Sequence, residues 1–273
     1  MPGKVTVRDI LKMKGSSKIV MVTAYDYPTA RLVDRAGVDA ILVGDSMAMV
    51  VLGYPTTHGA TMREMLAHTA AVARAKPRAL VVGDMPFGSY EPSSRKAVES
   101  AIAFARAGAE AVKLEGGSEY ADRVRAIVRA GVPVMGHIGL TPQRYLKLGG
   151  FRPVGKREEE ARMLLKDAEE LQEAGAFSIV IEFTAAEVAR EITSRLRIPT
   201  ICIGSGPYCD GQVLVLHDII GLSETPPPFA KKYANVAEAI VEAVAAFARE
   251  VREGVFPSWE HTPVRLEKPR GES

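Results

Sequence analysis

A short unit recurs along the chain and narrows what it can fold into: Ala-Gly, then an apolar run, then a polar or charged residue. It reads AGVDAILVG at 36–44, AGAEAVKLE at 107–115, AGVPVMGH at 130–137 and AGAFSIVIE at 174–182. Glycine accepts the left-handed conformation beyond a helix end without the penalty of a Cβ, and the β-branched run behind it suits a strand covered on both faces. Variants of the unit add KIVMVTAYD near 18, RALVVGD near 78, IPTICIGSG near 198 and QVLVLHD near 212, which brings the count to eight strands. Between them lie stretches with helical spacing of apolar residues, among them TMREMLAHTAAVARA, SRKAVESAIAFARA and KREEEARMLLKDAEELQEA.

Eight strands alternating with helices predict an α/β fold, a (β/α)8 TIM barrel built as one domain over residues 1–273, with residues from about 255 as a C-terminal tail. Two departures from the ideal repeat are expected. Residues 6–14 read as an extra N-terminal helix, and GSGPYCDG between strands 7 and 8 is too short for a full helix, so that crossover is truncated. A doubly wound open sheet is the alternative, but it gives no reason for polar residues at several strand ends to converge. The loops at 46–60, 138–156 and 223–233 are long enough to be functional. The second contains Gly149-Gly150 and reads equally as a mobile cover or an ordered surface loop.

Composition excludes several classes of function. The 273 residues are 47% hydrophobic, enough for a large core, and 35 basic against 33 acidic residues leave a formal charge of +2 with no basic block. Nucleic acid is therefore not an expected partner. MPGKVTVRDILKMKG lacks an apolar signal core and no later stretch is apolar enough to span a bilayer, so a cytoplasmic location is expected, with no membrane partner. The two cysteines, Cys202 and Cys209, do not have metal-pair spacing and are read as small buried hydrophobes rather than a disulfide framework.

The chemistry is expected where the strands run out. Asp45-Ser46 follows AILVG, Asp84 follows ALVVG, Lys113 and Glu115 lie in AVKLEGG, His137 ends VPVMGH and Glu182 ends FSIVIE. Lys113 and Glu115 are two residues apart on one strand, so both point to the same side, into the barrel mouth. Taken alone they make a structural ion pair as readily as a binding site. Asp45 and Asp84 alter that balance, because three carboxylates facing one space repel each other unless a cation is present. Oxygen ligands without paired histidines or thiolates favour Mg²⁺ as a metal held by Asp45, Asp84 and Glu115.

Such a site suits a 2-oxo acid, whose ketone and carboxylate oxygens chelate the metal, so that the neighbouring C–H bond is acidified and an enolate stabilised. Lys113 would neutralise the substrate carboxylate and Ser46 would add a donor. Glu182, on a separate strand, is the candidate base for the carbon-bound proton; Ile181 and Phe183 beside it provide apolar surroundings that suit a base working near neutral pH. A helix N-cap or a salt bridge to a loop is its bland alternative. His137 would orient substrate or shuttle a proton, or be a core histidine bonded to backbone. Ser205 in GSGP and His217-Asp218 after strand 8 are weaker candidates, recommended by position alone.

GDSMAMVVLGY at 44–54, THGATMREMLAHTAAVARA behind it, GDMPFGSY at 83–90, AVKLEGG, GHIGLTPQ at 136–143, GGFRPVGK, EAGAFSIVIE and QVLVLHDIIGL resemble successive signatures of the ketopantoate hydroxymethyltransferase family. The resemblance spans nearly the whole chain. It implies transfer of a one-carbon unit from the cosubstrate 5,10-methylenetetrahydrofolate to 3-methyl-2-oxobutanoate, giving 2-dehydropantoate on the way to pantothenate. It also implies Mg²⁺ on Asp45, Asp84 and Glu115, the oxo acid held by Ser46 and Lys113 together with Asp45 and Asp84, Glu182 as proton acceptor, and a homo-oligomer, a decamer of two pentamers. Two alternatives remain open from the residues: a Mg²⁺-dependent 2-oxo acid lyase of the phosphoenolpyruvate-mutase and isocitrate-lyase type, and a catalytically silent barrel that binds a metabolite or partner.

Overall fold

The computed structural model describes residues 3–264. Its strands are β1 (Ile19–Thr23), β2 (Ala40–Val43), β3 (Leu80–Asp84), β4 (Ala111–Glu115), β5 (Val134–Gly139), β6 (Ser178–Glu182), β7 (Thr200–Ile203) and β8 (Gly211–Leu214). All neighbours are parallel and β8 pairs back with β1, so the sheet closes into an eight-stranded α/β barrel. The helices are α1 (Val7–Lys12), α2 (Tyr27–Arg35), α3 (Met47–Val50), α4 (Met62–Arg74), α5 (Ser94–Ala107), α6 (Ala121–Arg129), α7 (Tyr145–Leu148), α8 (Glu158–Glu173), α9 (Ala186–Arg195), α10 (Leu216–Ile220) and α11 (Val236–Arg252). α1 precedes β1, and no helix separates β7 from β8.

Alternation along the strands divides the core in two. Ile41, Val43, Val81, Val112, Leu114, Ile179 and Ile181 face outward and pack on the helices with Met65, Val72, Phe104, Ile127 and Leu171. Met21, Ala40, Leu42, Leu80, Val82, Ala111, Met135, Val180 and Val213 face inward and fill the barrel. Val5 and Ile10, from the N-terminal segment, join this inner cluster, so α1 plugs the end of the barrel where the strands begin. Asp210 ties that plug in place, accepting from Lys14 Nζ at 2.8 Å, Thr200 N at 2.9 Å and Gly15 N at 3.2 Å.

The recurring glycines behave as their spacing predicts: Gly37, Gly108, Gly131 and Gly175 all have positive φ. At Gly108, which closes α5, a Cβ would lie 2.5 Å from Ala73 Cβ, so the glycine serves both the turn and the close packing of α5 on α4. α4 starts from a capping box in which Thr61 and Glu64 each satisfy the other's backbone N–H.

The described residues fall into two compact units by their contacts, one of residues up to 216 with 226–230, the other of 217–225 with those from 231 on. The first contains the barrel. In the second, α11 has no buried residue, and Ile240, Val241, Val244, Phe247 and Val251 are exposed. The expected tail from about 255 falls in this unit, and its residues 265–273 lie outside the described ones.

The cysteines correct the sequence reading. Cys202 and Cys209 are fully buried, as expected of small hydrophobes, but they are joined in a disulfide with their Cα atoms 5.7 Å apart. They flank the short β7–β8 connection, and the absence of a crossover helix is what brings them within bonding reach. Among the described residues no helix is long and apolar enough to cross a membrane.

Candidate active site

Strand parity places the charged residues. Asp84 follows the inward Val82 by two, Lys113 and Glu115 follow Ala111 by two and four, His137 follows Met135 and Glu182 follows Val180. The register lays them side by side: Asp84 pairs with Lys113, Glu115 with His137, and Gly139 with Glu182. Asp45 lies just beyond β2 and joins them through its backbone, whose N–H donates to Asp84 Oδ2 at 3.1 Å. Ser46 opens α3, and its Oγ lies 2.8 Å from the Tyr25 hydroxyl.

The end of β6 is held by its neighbours. Gly139 has φ +97°, and a Cβ there would stand 2.3 Å from the Glu182 carbonyl oxygen, so only glycine lets β5 approach this closely. Phe183, directly after Glu182, has φ +43°, a conformation that costs a bulky residue about 1–3 kcal/mol. It is held there because its N–H donates to Ile203 O while its own carbonyl accepts from Val154 N. Ser205 braces the same turn, donating to Ile181 O at 2.8 Å and accepting from Thr184 N at 2.9 Å. Ser205 is therefore placed as a support for β6 rather than at the mouth, and His217 and Asp218 are carried by α10 rather than by a strand end.

Lys113 lies at the centre of the group. Its Nζ is 2.8 Å from Asp84 Oδ1, 3.8 Å from Glu115 Oε1 and 3.1 Å from His137 Nδ1. Burial would strip it of its proton, but Asp84, Glu115 and Asp45 hold its pKa above the ordinary lysine value. The reverse holds for two of the acids. Burial pushes the Asp45 pKa well up, and the Asp84 and Glu115 carboxylates push it further. Asp84 is raised by burial and by Glu115, against the pull of Lys113. Glu115 is lowered, because His137, Lys113 and the Gln143 N–H outweigh its burial.

His137 bridges the two halves of the mouth. Nδ1 is 3.5 Å from Glu115 Oε1 and Nε2 is 3.1 Å from Glu182 Oε2. Burial and Lys113 lower its pKa, but Glu115 and Glu182 prevail and push it up to about 9. A neutral ring that accepts from the Lys113 ammonium at Nδ1 must carry its proton on Nε2, and a protonated ring carries one there as well. In either state Nε2 carries a proton; its 3.1 Å approach to Glu182 Oε2 is a close contact that lacks hydrogen-bond alignment.

Two buried side chains were passed over in the sequence. Gln143, in the turn Pro142–Arg144 after β5, reaches into the carboxylate group, and the Tyr90 hydroxyl sits behind it. Both lie inside motifs, GHIGLTPQ and GDMPFGSY, but nothing in their local pattern shows that a loop residue turns back into the mouth. Gln143 also lines a cavity of about 560 Å³ whose other walls include His58, Phe87, Tyr120, Arg144 and Asp167. That volume is in the range of small-molecule sites.

The model of the family described as ketopantoate hydroxymethyltransferase matches residues 4–259. The chain belongs to the ketopantoate hydroxymethyltransferase family. It is 66% identical over 262 residues to the 3-methyl-2-oxobutanoate hydroxymethyltransferase of Aeropyrum pernix, covering 96% of each chain. It is 67% identical over 255 residues to the enzyme of that name from Ignicoccus hospitalis, covering 93% of this chain and 97% of the relative. Among solved structures, phosphonopyruvate hydrolase in complex with oxalate and Mg²⁺ has a TM-score of 0.61 at 15% identity, covering 93% of this chain and 92% of that one. 2,3-Dimethylmalate lyase, of the phosphoenolpyruvate mutase and isocitrate lyase superfamily, has 0.60 at 18%, covering 96% and 93%. These two share the fold with the ketopantoate hydroxymethyltransferase chain.

The donor set of this family member suits a hard divalent cation. Three buried carboxylates face one ammonium, and two of them have raised pKa values, Asp45 by burial and the charges of Asp84 and Glu115, Asp84 by burial and Glu115, the condition a cation relieves. Among the described residues no three His, Cys, Asp or Glu side chains stand close enough to make a ready-made metal cluster. The Lys113 ammonium and the Gln143 amide lie among the carboxylates instead.

Proposed function

We propose that the chain transfers a hydroxymethyl group from 5,10-methylenetetrahydrofolate to 3-methyl-2-oxobutanoate, giving 2-dehydropantoate for pantothenate biosynthesis. What carries the reading is identity to enzymes of that activity along nearly the whole chain. Asp45, Asp84 and Glu115 would hold Mg²⁺, which when bound draws electrons from the oxo acid's carbonyl and acidifies the neighbouring C–H bond. Lys113 and Ser46 bind the oxo acid, the ammonium at its carboxylate and the hydroxyl as a donor beside it. Glu182 removes the proton from C3, and His137 stands beside the Glu182 carboxylate as its charged neighbour. The methylene carbon is transferred to C3 as both of its C–N bonds to the folate break; water supplies the hydroxyl oxygen, the proton from C3 and one from that water go to N5 and N10, and tetrahydrofolate leaves.

The lyase alternative loses its proton donor. A lyase of that type that used a loop cysteine would need a free thiol, and among the described residues no cysteine is free. The decisive experiment is whether 3-methyl-2-oxobutanoate is consumed only in the presence of methylenetetrahydrofolate. Strict folate dependence is expected; cleavage of a larger oxo acid without folate would replace the reading with a lyase, and tight binding without turnover would leave a silent barrel.

The chain also acts as a homo-oligomer in this reading, a decamer by family resemblance. Sedimentation velocity showing a stable monomer would overturn it.

A further inference from the structure

We infer that Gln143 is a positioning residue for the carboxylate site, holding Asp45 and Glu115 at once through its side chain and its backbone. The inference rests on the divalent-cation reading above. Gln143 is 2% exposed and spends every polar atom in the site. Its backbone N–H donates to Glu115 Oε2 at 3.0 Å, and its Nε2 donates to Asp45 Oδ2 at 2.9 Å and to Met85 O at 3.0 Å. Its Oε1 accepts from the Tyr90 hydroxyl at 2.6 Å, and its carbonyl oxygen lies 2.7 Å from His58 Nε2.

The amide has only one workable orientation. Turned over, its oxygen would face the Met85 carbonyl, which has no proton to give, and an oxygen of Asp45. Tyr90 fits the same orientation from the other side. Its hydroxyl accepts from the Glu115 backbone N–H at 3.2 Å and has two acceptors in reach of its single proton, Gln143 Oε1 at 2.6 Å and the Glu115 carbonyl at 3.0 Å, of which Gln143 is the nearer. With the proton on the nearer acceptor, the donors run from Glu115 N–H to Tyr90, from Tyr90 to the Gln143 side chain, and from that side chain to Asp45.

A loop anchor alone would not need charged targets. Here neutral N–H groups satisfy one oxygen of each of two carboxylates that repel each other, without adding a charge to the group. The opposite oxygen of Glu115 is left facing Lys113 and His137. Groups that hydrogen-bond ligating carboxylates from behind typically set metal affinity by about 10–100-fold.

The test is calorimetric titration of Mg²⁺ into the full-length protein, with no turnover involved, comparing wild type with Gln143→Leu and Tyr90→Phe. Leucine matches the length of the glutamine stem but donates nothing to Asp45. It should weaken Mg²⁺ binding by about 10–100-fold, while C3 hydrogen exchange of the oxo acid recovers when Mg²⁺ is raised to saturation. Tyr90→Phe, which removes only the partner of Oε1, should weaken Mg²⁺ in the same direction by less, and it carries the test if the leucine variant does not fold. Mg²⁺ affinity within about two-fold of wild type in the folded variants would overturn the inference and leave Gln143 a loop anchor. A wild type that binds no divalent cation would overturn the cation reading, and this inference with it.

Discussion

His137 Nε2 stands 3.1 Å from Glu182 Oε2, a contact between β5 and β6 across the barrel mouth. The contact lacks hydrogen-bond alignment, but it sets the imidazole beside the one carboxylate that lies apart from the Asp45, Asp84 and Glu115 group. Glu182→Gln keeps the shape of the side chain but removes its ability to accept a proton. The variant should still bind 3-methyl-2-oxobutanoate, while exchange of the C3 hydrogen with deuterated water, followed by NMR without folate, falls by at least about 10²-fold. If exchange persists while product formation is lost, Glu182 acts on the folate half of the reaction and His137 becomes the candidate base.

Lys113→Met tests substrate recognition against structural pairing. From the sequence, Lys113 reads as a binder of the substrate carboxylate or as half of an ion pair with Glu115; the structure shows a buried ammonium between Asp84 and Glu115, so both substrate binding and stability should change. Oxo-acid binding should weaken by about 2–5 kcal/mol, the usual loss on stranding a buried charge. Thermal unfolding of the metal-free variant should shift down as well, because the carboxylates lose their counter-charge. Unchanged substrate affinity in folded variant would assign Lys113 to the ion pair alone.

Asp84→Ala removes a carboxylate that also receives the Asp45 backbone N–H and the Lys113 ammonium. Mg²⁺ affinity and C3 exchange should collapse together. Full exchange activity in the presence of a chelator would refute a metal site on these residues.

Asp210 gives a pH-dependent stability signal away from the mouth. Lys14, Thr200 N–H and Gly15 N–H lower its pKa below the ordinary carboxylate value, against the effect of burial. A lowered folded-state pKa means that the stabilisation is present above the unfolded value, near 4, and is lost as pH falls through the folded one. Asp210→Asn should therefore lower Tm at pH 7 by about 5 °C, from roughly 1.5–3 kcal/mol of charged hydrogen bonding. The gap from wild type should shrink below about pH 4. An equal gap at pH 3.5 and pH 7 would show that the charge of Asp210 contributes nothing.

The disulfide predicts that the denatured, unreduced protein gives no thiol signal with a chromogenic disulfide reagent, and that prior reduction exposes both cysteines. Cys209→Ala should destabilise by about 2–4 kcal/mol, read as a lower unfolding midpoint. Free thiols in the native, unreduced protein would refute the bond.

The recurring strand unit with helical stretches between determined the barrel from the sequence alone, strand ends marked Asp84, His137 and Glu182, and the two-residue spacing of Lys113 and Glu115 put those two on one side. A side chain's face follows from its parity with Val82, Ala111, Met135 and Val180, whatever the rest of the chain does. Tertiary structure alone decided which of those groups touch. Gln143 and Asp45 are 98 residues apart and meet because the turn after β5 folds back over the mouth. The Cys202–Cys209 bond likewise needed the truncated β7–β8 connection to set the spacing of its ends. Loop paths and strand register are settled by packing between distant segments, and no repeating pattern in the chain encodes them.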